Sequence, residues 1–382
     1  MKKKILCFLF ASVLSFSLIG CKGSSSDTST NSTTTEETEE TQPQEEVDYS
    51  ELSESDLEVL AYDDDAKACY YLGLLYDYGS DEIEKQPMIA FSWYEKSADA
   101  GYAEGCTALG YMYLNGVGTD KDVDKAREYF QKGIDAGDQE GLVGMGRSYI
   151  ENPTEENATE QAYQYITQAY NALLPDGTYY MAYLYEKGIG VDVDLNSALT
   201  LYQQVADMTD LSKTNEYLVN AANTRMGIIH VNDTGELKDD QLALDYFQVA
   251  ADEGYSVAEY YLGIMYMQGY GIDQSYDDAL DWFQKAADQD YAPALNQMGC
   301  FYFNGYGVDV DYNQAVYYQK LAAAQDYTPA QINLGYMYEN GFGVEKNLET
   351  ARAYYQLAAD KSYEGASEAV ARVESLMNET ME

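Results

Sequence analysis

Eight positions along this chain fall on a common ruler. Aligned on the glycine of a Leu-Gly-Tyr-Met-Tyr segment, Gly73, Gly110, Gly146, Ala182, Gly227, Gly263, Gly299 and Gly335 are spaced by 37, 36, 36, 45, 36, 36 and 36 residues. A fixed period of this length marks a repeat array, because one such unit cannot bury its apolar face alone and a row of units can. Residues 109–118 (LGYMYLNGVG) and 334–343 (LGYMYENGFG) differ at two positions although they lie 225 residues apart. That separation is five steps of 36 and one of 45.

Within a unit the apolar positions recur twice at helical spacing. Around Gly263, residues 257–268 place Ala258, Tyr261, Leu262, Met265 and Tyr266 three or four residues apart and read as a helix A, ended by Gly269 and Gly271. Residues 277–289 place Ala279, Trp282, Phe283, Ala286 and Ala287 on one face and read as a helix B. Asp277 is expected to start it, as an acceptor for free backbone N–H groups at the positive end of the helix dipole. Ala279 recurs as Ala90, Ala126, Ala198, Ala243, Ala315 and Ala351, and Trp282 as Trp93, Tyr129, Leu201, Tyr246, Tyr318 and Tyr354. The small residue is expected to let helices approach, and the large one to fill the space between units. With 40 Tyr in 382 residues, amphipathic rings are expected to build much of the interior.

This pattern resembles the Sel1-like repeat family, a relative of the tetratricopeptide repeats. The last unit carries it most fully, in Ala330, Leu334-Gly335, Tyr338, Gly341-Phe342-Gly343-Val344, Ala351, Tyr354 and Ala358-Ala359. The likeness runs over residues 66–363 in eight units. It implies an all-α fold, a right-handed α–α superhelical solenoid, and a role as an adaptor that assembles complexes. Three units depart from the pattern. The third has Glu151-Asn152-Pro153 in place of Gly-x-Gly, the fourth has Ala182 and about nine extra residues within 208–219, and the fifth has Asn232-Asp233-Thr234-Gly235. They form an irregular middle where the superhelix geometry is expected to change. Residues 49–65 read as an N-terminal capping helix, and 364–382 as a Glu-rich capping helix and tail.

The N-terminus reads as a targeting segment. Lys2, Lys3 and Lys4 precede an apolar stretch, residues 5–19, too short to span a bilayer. It ends in Leu18-Ile19-Gly20-Cys21, which looks like a bacterial lipobox: residues 1–20 would be a lipoprotein signal peptide and Cys21 the lipidated residue. Two acyl chains suffice for stable anchoring. Residues 21–48, rich in Ser, Thr and Glu, hold too little apolar surface to offset the entropy of ordering and read as a tether. Its reach is roughly 25–30 Å.

The formal net charge is −44, and removal of residues 1–20 takes away three more Lys. Nucleic acid is therefore a poor partner. Basic proteins or polycationic cell-wall components suit this charge, as does the plainer reading that the acid keeps the protein soluble.

A dinucleotide loop needs a strand before its glycines. Here a helix precedes, and the motif recurs in five units, so the first glycine reads as a left-handed helix cap. Acidic runs beginning at Asp120, Asp192 and Asp309 resemble a calcium loop. Positions 6 and 12, which need Gly and Glu, hold Lys125 and Gln131, Ser197 and Gln203, and Gln314 and Lys320. The runs therefore read as helix B caps. His230, the single His, reads as a core substitution for Tyr. Cys69, Cys106 and Cys300 read as buried free thiols, since equivalent positions on neighbouring helices are too far apart to favour a bridge. Neither Ser-x-x-Lys nor Gly-x-Ser-x-Gly occurs. No metal, no cofactor and no enzyme activity are expected.

The expected function is a membrane-tethered, extracytoplasmic scaffold, monomeric, that binds a basic protein or peptide on a concave acidic, Tyr-rich surface. Glu259, Tyr260 and Gln331 on helix A are expected to be exposed and to contact the partner. A carboxylate enzyme acting on the cell wall, and a lipoprotein that captures glycans or peptides, remain as alternatives.

Overall fold

The computed structural model describes residues 47–80, 83–209 and 216–379. The signal segment, Cys21 and nearly all of the tether lie outside the described residues, as do residues 210–215 of the insertion. The described residues form eighteen α-helices and no strand. After a 3-10 turn (Tyr49–Glu51) and α1 (Glu54–Tyr62) come eight A–B pairs. The first four are α2 (Ala66–Tyr78) with α3 (Pro87–Asp99), α4 (Ala103–Asn115) with α5 (Val123–Ala136), α6 (Glu140–Ile150) with α7 (Ala158–Asn171), and α8 (Pro175–Lys187) with α9 (Leu195–Ala206). The next four are α10 (Glu216–Asn232) with α11 (Asp240–Asp252), α12 (Ser256–Gln268) with α13 (Tyr276–Asp288), α14 (Ala292–Asn304) with α15 (Tyr312–Ala324), and α16 (Thr328–Asn340) with α17 (Leu348–Asp360). Helix α18 (Ala366–Glu379) follows. The fold class is therefore the all-α array of helix pairs that the period predicts. The described residues divide into two compact units, 47–218 and 219–379. No helix among them is long and apolar enough to cross a membrane.

The ruler motif ends each regular A helix. Gly116, Gly188, Gly269, Gly305 and Gly341 are left-handed caps, and the Gly341 N–H returns to the Met337 carbonyl at 2.8 Å. The second glycine has a different task. A Cβ on Gly271 would stand 2.6 Å from the Asp240 carbonyl oxygen, at the start of the preceding unit's B helix. The loop is thus the place where one unit's backbone rests on the next.

Helix B begins as expected in three units, where Asp122, Asp194 and Asp311 accept hydrogen bonds from backbone N–H groups of the first turn. In α13 the expectation needs correcting. Ser275 caps it, accepting from the Asp278 N–H, and Asp277 lies inside the first turn because the helix starts one residue earlier than its apolar period suggests.

The core also corrects one assignment. The side chain pressed against the ruler glycine is Phe283, not Trp282, and a Cβ on Gly263 would lie 2.6 Å from the Phe283 ring. Tyr94, Phe130, Tyr202, Phe247 and Tyr355 occupy the equivalent place, fully buried. Trp282 is half-buried. Its equivalents Tyr129, Tyr246, Tyr318 and Tyr354 stack on rings of the A helix in their own unit: Tyr113, His230, Tyr302 and Tyr338, at centroid distances of 5.7–5.8 Å. His230 is buried in that stack, in the place of a Tyr, and its Nδ1 meets the Leu237 carbonyl oxygen at 2.7 Å. Cys69, Cys106 and Cys300 are buried thiols that form no disulfide.

Candidate binding groove

In the 47–218 unit the A helices α2, α4, α6 and α8 touch one another in series. Along the face they share runs a groove of about 160 Å³. Tyr70, Leu74 and Asp77 enter it from α2, and Glu104, Thr107 and Tyr111 from α4. Asp138 and Glu140 come from the start of α6, Asp176 from α8, and Tyr217 from the first turn of α10.

Three of these acids share one register. Glu104, Glu140 and Asp176 each stand six residues before the ruler position, in the first turn of an A helix. The helix dipole favours a carboxylate there. In the 219–379 unit the same register holds Ala221, Val257, Pro293 and Pro329, so the helices form without the acid. Sequence reasoning missed this set. The ruler could have found it, by comparing units at fixed offset instead of searching for known motifs.

Burial makes the cluster electrostatically tense. Glu140 is pushed up to about 8 by burial and by the neighbouring charges of Asp176 and Asp138. Burial raises Asp138 as well, opposed by the Glu140 N–H, which donates to Asp138 Oδ1 at 3.1 Å. Asp176 is raised by burial despite the Tyr217 hydroxyl, which donates to its Oδ1 at 2.9 Å, and despite the nearby Arg147 guanidinium. Asp77 is raised by burial, against Tyr94 and Lys85. The aromatic wall is close: the Tyr70 hydroxyl is held well above its ordinary value by burial, with Asp138 and Glu104 adding to it. Among the described residues, no three His, Cys, Asp or Glu side chains converge in the way a metal ion requires.

The residues expected to contact a partner lie elsewhere, and their exposure is corrected. Glu259 is 4% exposed and accepts a hydrogen bond from Gln289 Nε2 at 2.8 Å. Gln331 is 2% exposed and donates to Asp326 Oδ1 at 2.9 Å. Tyr260 is half-buried among the rings of Tyr261, Phe283 and Tyr291. A helical wheel places all three away from the main apolar stripe, but an A helix in an array is covered on more than one side. Tyrosine likewise serves the interior more than the surface. Among the described residues, the exposed large hydrophobics include four tyrosines, Tyr62, Tyr270, Tyr276 and Tyr317.

A family profile described as Sel1 repeat matches residues 66–102, 103–138, 175–210, 220–255, 256–291, 292–327 and 328–363. The stretch between the second and third matches is the pair α6–α7, with the altered turn. It keeps the packing even so, with Ile166 beneath Gly146. No curated protein sequence matches. Among solved structures, a Sel1 repeat protein from Oxalobacter formigenes is 22% identical, over 76% of this chain and 96% of its own, with a TM-score of 0.44. A protective antigen of uropathogenic Escherichia coli displaying an SLR fold is 24% identical, over 84% and 74%, with a TM-score of 0.39. An immunity protein from Pseudomonas aeruginosa is 21% identical, over 69% and 83%, with a TM-score of 0.33.

Proposed function

We propose that this chain, which belongs to the Sel1 repeat family, is a scaffold that holds a basic segment of a partner protein in the acidic groove of its 47–218 unit. Proteins of the family generally mediate protein–protein interaction and are typically non-enzymatic. The observation that carries the reading is the carboxylate register of Glu104, Glu140 and Asp176, present where the groove lies and replaced by apolar residues in the other unit. A net charge of −44 would draw a basic partner from a distance and repel an acidic one. The reading includes an extracytoplasmic monomer anchored through lipid on Cys21, with residues 21–48 as the tether.

Co-purification of the full chain from membranes, followed by mass spectrometry, tests this. A basic protein should be enriched, and its retention should fall as salt is raised from about 50 to 500 mM, where screening shortens to a few ångströms. Enrichment that is indifferent to salt, or of acidic proteins, would sink it. Cys21→Ser should move the chain from the membrane fraction to the soluble fraction, and no movement would remove the anchor.

A further inference from the structure

We propose that the groove recognises one organic cation, the ammonium or guanidinium group of a single Lys or Arg side chain. The inference rests on the scaffold reading and specifies what the partner's segment must present.

The groove's charge is not balanced from within. Arg147 lies by Asp176 and pairs with Glu151 at 3.3 Å, and Lys85 lies by Asp77. No ion pair among the described residues reaches Asp138 or Glu140. Two half-buried acids that neighbour each other without a counter-ion are costly to ionise, and a cation brought between them relieves that cost. An anion would deepen it, and a neutral group would leave it.

A second observation is independent of charge. Thr107 is 4% exposed and lines the groove beside Asp138. Its hydroxyl oxygen is buried, and no partner completes a hydrogen bond to it. Buried hydroxyls are normally satisfied. An ammonium or guanidinium N–H aimed at Asp138 would supply the missing donor.

The walls and the size favour an organic cation over a metal ion. Calcium takes six to eight oxygens at about 2.3–2.6 Å, whereas these acids are distributed over α4, α6 and α8 and do not converge. Tyr70 stands on the same groove and ring faces attract ammonium and guanidinium groups, as the Arg147 guanidinium over the Tyr111 ring at 5.2 Å already shows. A groove of about 160 Å³ has room for the end of one long side chain. The acids are not required by the fold, since the other unit builds the same helices with Ala, Val and Pro at that register.

Ligand-observed NMR on the full chain tests this with a Gly/Ser nonapeptide carrying one central Lys, alongside its Arg and Gln counterparts, spermidine and calcium chloride. The Lys and Arg peptides should bind and the Gln peptide should not. Glu140→Gln and, separately, Asp138→Asn should each weaken the Lys peptide about tenfold or more, the range expected when one side of a buried charge pair is removed. Asp281→Asn, on an exposed acid of α13, should leave it unchanged. Thermal melts of each variant establish that it is folded. The proposal is overturned if the Gln peptide binds equally, if Asp281→Asn weakens binding as much as Glu140→Gln, if calcium displaces the Lys peptide at equal concentration, or if spermidine, which carries the same ammonium groups, does not compete at all. A protein captured equally by wild type and Glu140→Gln overturns this assignment and leaves the scaffold standing. Lys-peptide binding with no protein captured overturns the scaffold alone.

Discussion

At the scale of single residues, the chain repeats one small experiment on itself. Where the buried ring beneath the ruler position is a tyrosine, the A helix supplies a carboxylate four residues after that position. Tyr202 donates to Glu186 at 2.9 Å, Tyr355 to Glu339 at 2.9 Å, and Tyr94 to Asp77 at 3.4 Å. Where the ring is Phe130, Phe247 or Phe283, that place holds Leu114, Val231 or Met267. A buried phenol needs an acceptor and a buried phenyl does not. Phe283→Tyr should therefore cost about 1–3 kcal/mol through an unsatisfied hydroxyl. Met267→Glu should also destabilise. The double variant should recover about 0.5 kcal/mol or more relative to the sum. Denaturant unfolding of the three variants measures this, and strict additivity would count against the pairing.

Glu140 makes a second residue-scale prediction. Its folded value of about 8 lies above the ordinary glutamate value, so between the two the folded state binds more protons than the unfolded state. Stability contributed by the neutral carboxyl is then lost as pH rises through about 8. The charged and titratable neighbours act in the same site: Asp138, Asp176 and Glu104, with Arg147 and Tyr217 around Asp176 and Tyr70 against Asp138. Glu140→Gln should match wild type near pH 4.5 and melt about 2–4 °C higher at pH 8. Melting below wild type at pH 8 would contradict the assignment.

At the scale of the element, the Gly-x-Gly loop joins two separate requirements. Gly341 needs the left-handed conformation, with φ +75°, but an added Cβ would meet only ordinary van der Waals contact, the nearest atom being 3.4 Å away. Gly343 needs that conformation too, and its Cβ would collide with the Tyr312 backbone carbonyl. Gly341→Ala should cost about 1 kcal/mol. Gly343→Ala should cost at least twice as much, because backbone cannot move aside as a side chain can. Equal losses would mean that the contact between units yields easily. A quieter tie runs along the opposite loops. Gln289 donates to the Gly254 carbonyl at 3.0 Å, Gln325 to that of Asp290 at 2.7 Å, and Lys361 to that of Asp326 at 2.8 Å, each to a residue 35 earlier. Neighbouring units are thus held by polar contacts at the loops as well as by buried rings.

At the scale of the whole molecule, 66 acids against 22 bases set the balance. Like charges at this density oppose compaction. The melting temperature should rise by a few degrees as ionic strength goes from about 0.01 to 0.15 M, because the screening length falls from about 30 to 8 Å. Circular dichroism melts would read this, and a flat or falling series would mean that the acids are already locally balanced. The two units differ where function is proposed. The one at 47–218 carries the acidic register and the pair α6–α7 that the family profile does not match, whereas every pair within 219–379 follows that profile.

The sequence by itself determined the period, the helix pairs, the left-handed caps, the buried thiols and the place of His230. Those features rest on spacing of three to four residues and on the glycines that end the A helices, and eight copies of the pattern make the local signals consistent. Only the tertiary structure decided which of two adjacent large residues lies under the ruler glycine, that Glu259 and Gln331 are covered, and that acids 36 residues apart meet around one groove. Adjacent helix positions differ by about 100° of rotation. The packing of neighbouring helices decides which of them faces inward, and that geometry is set by contacts between units rather than by any one of them.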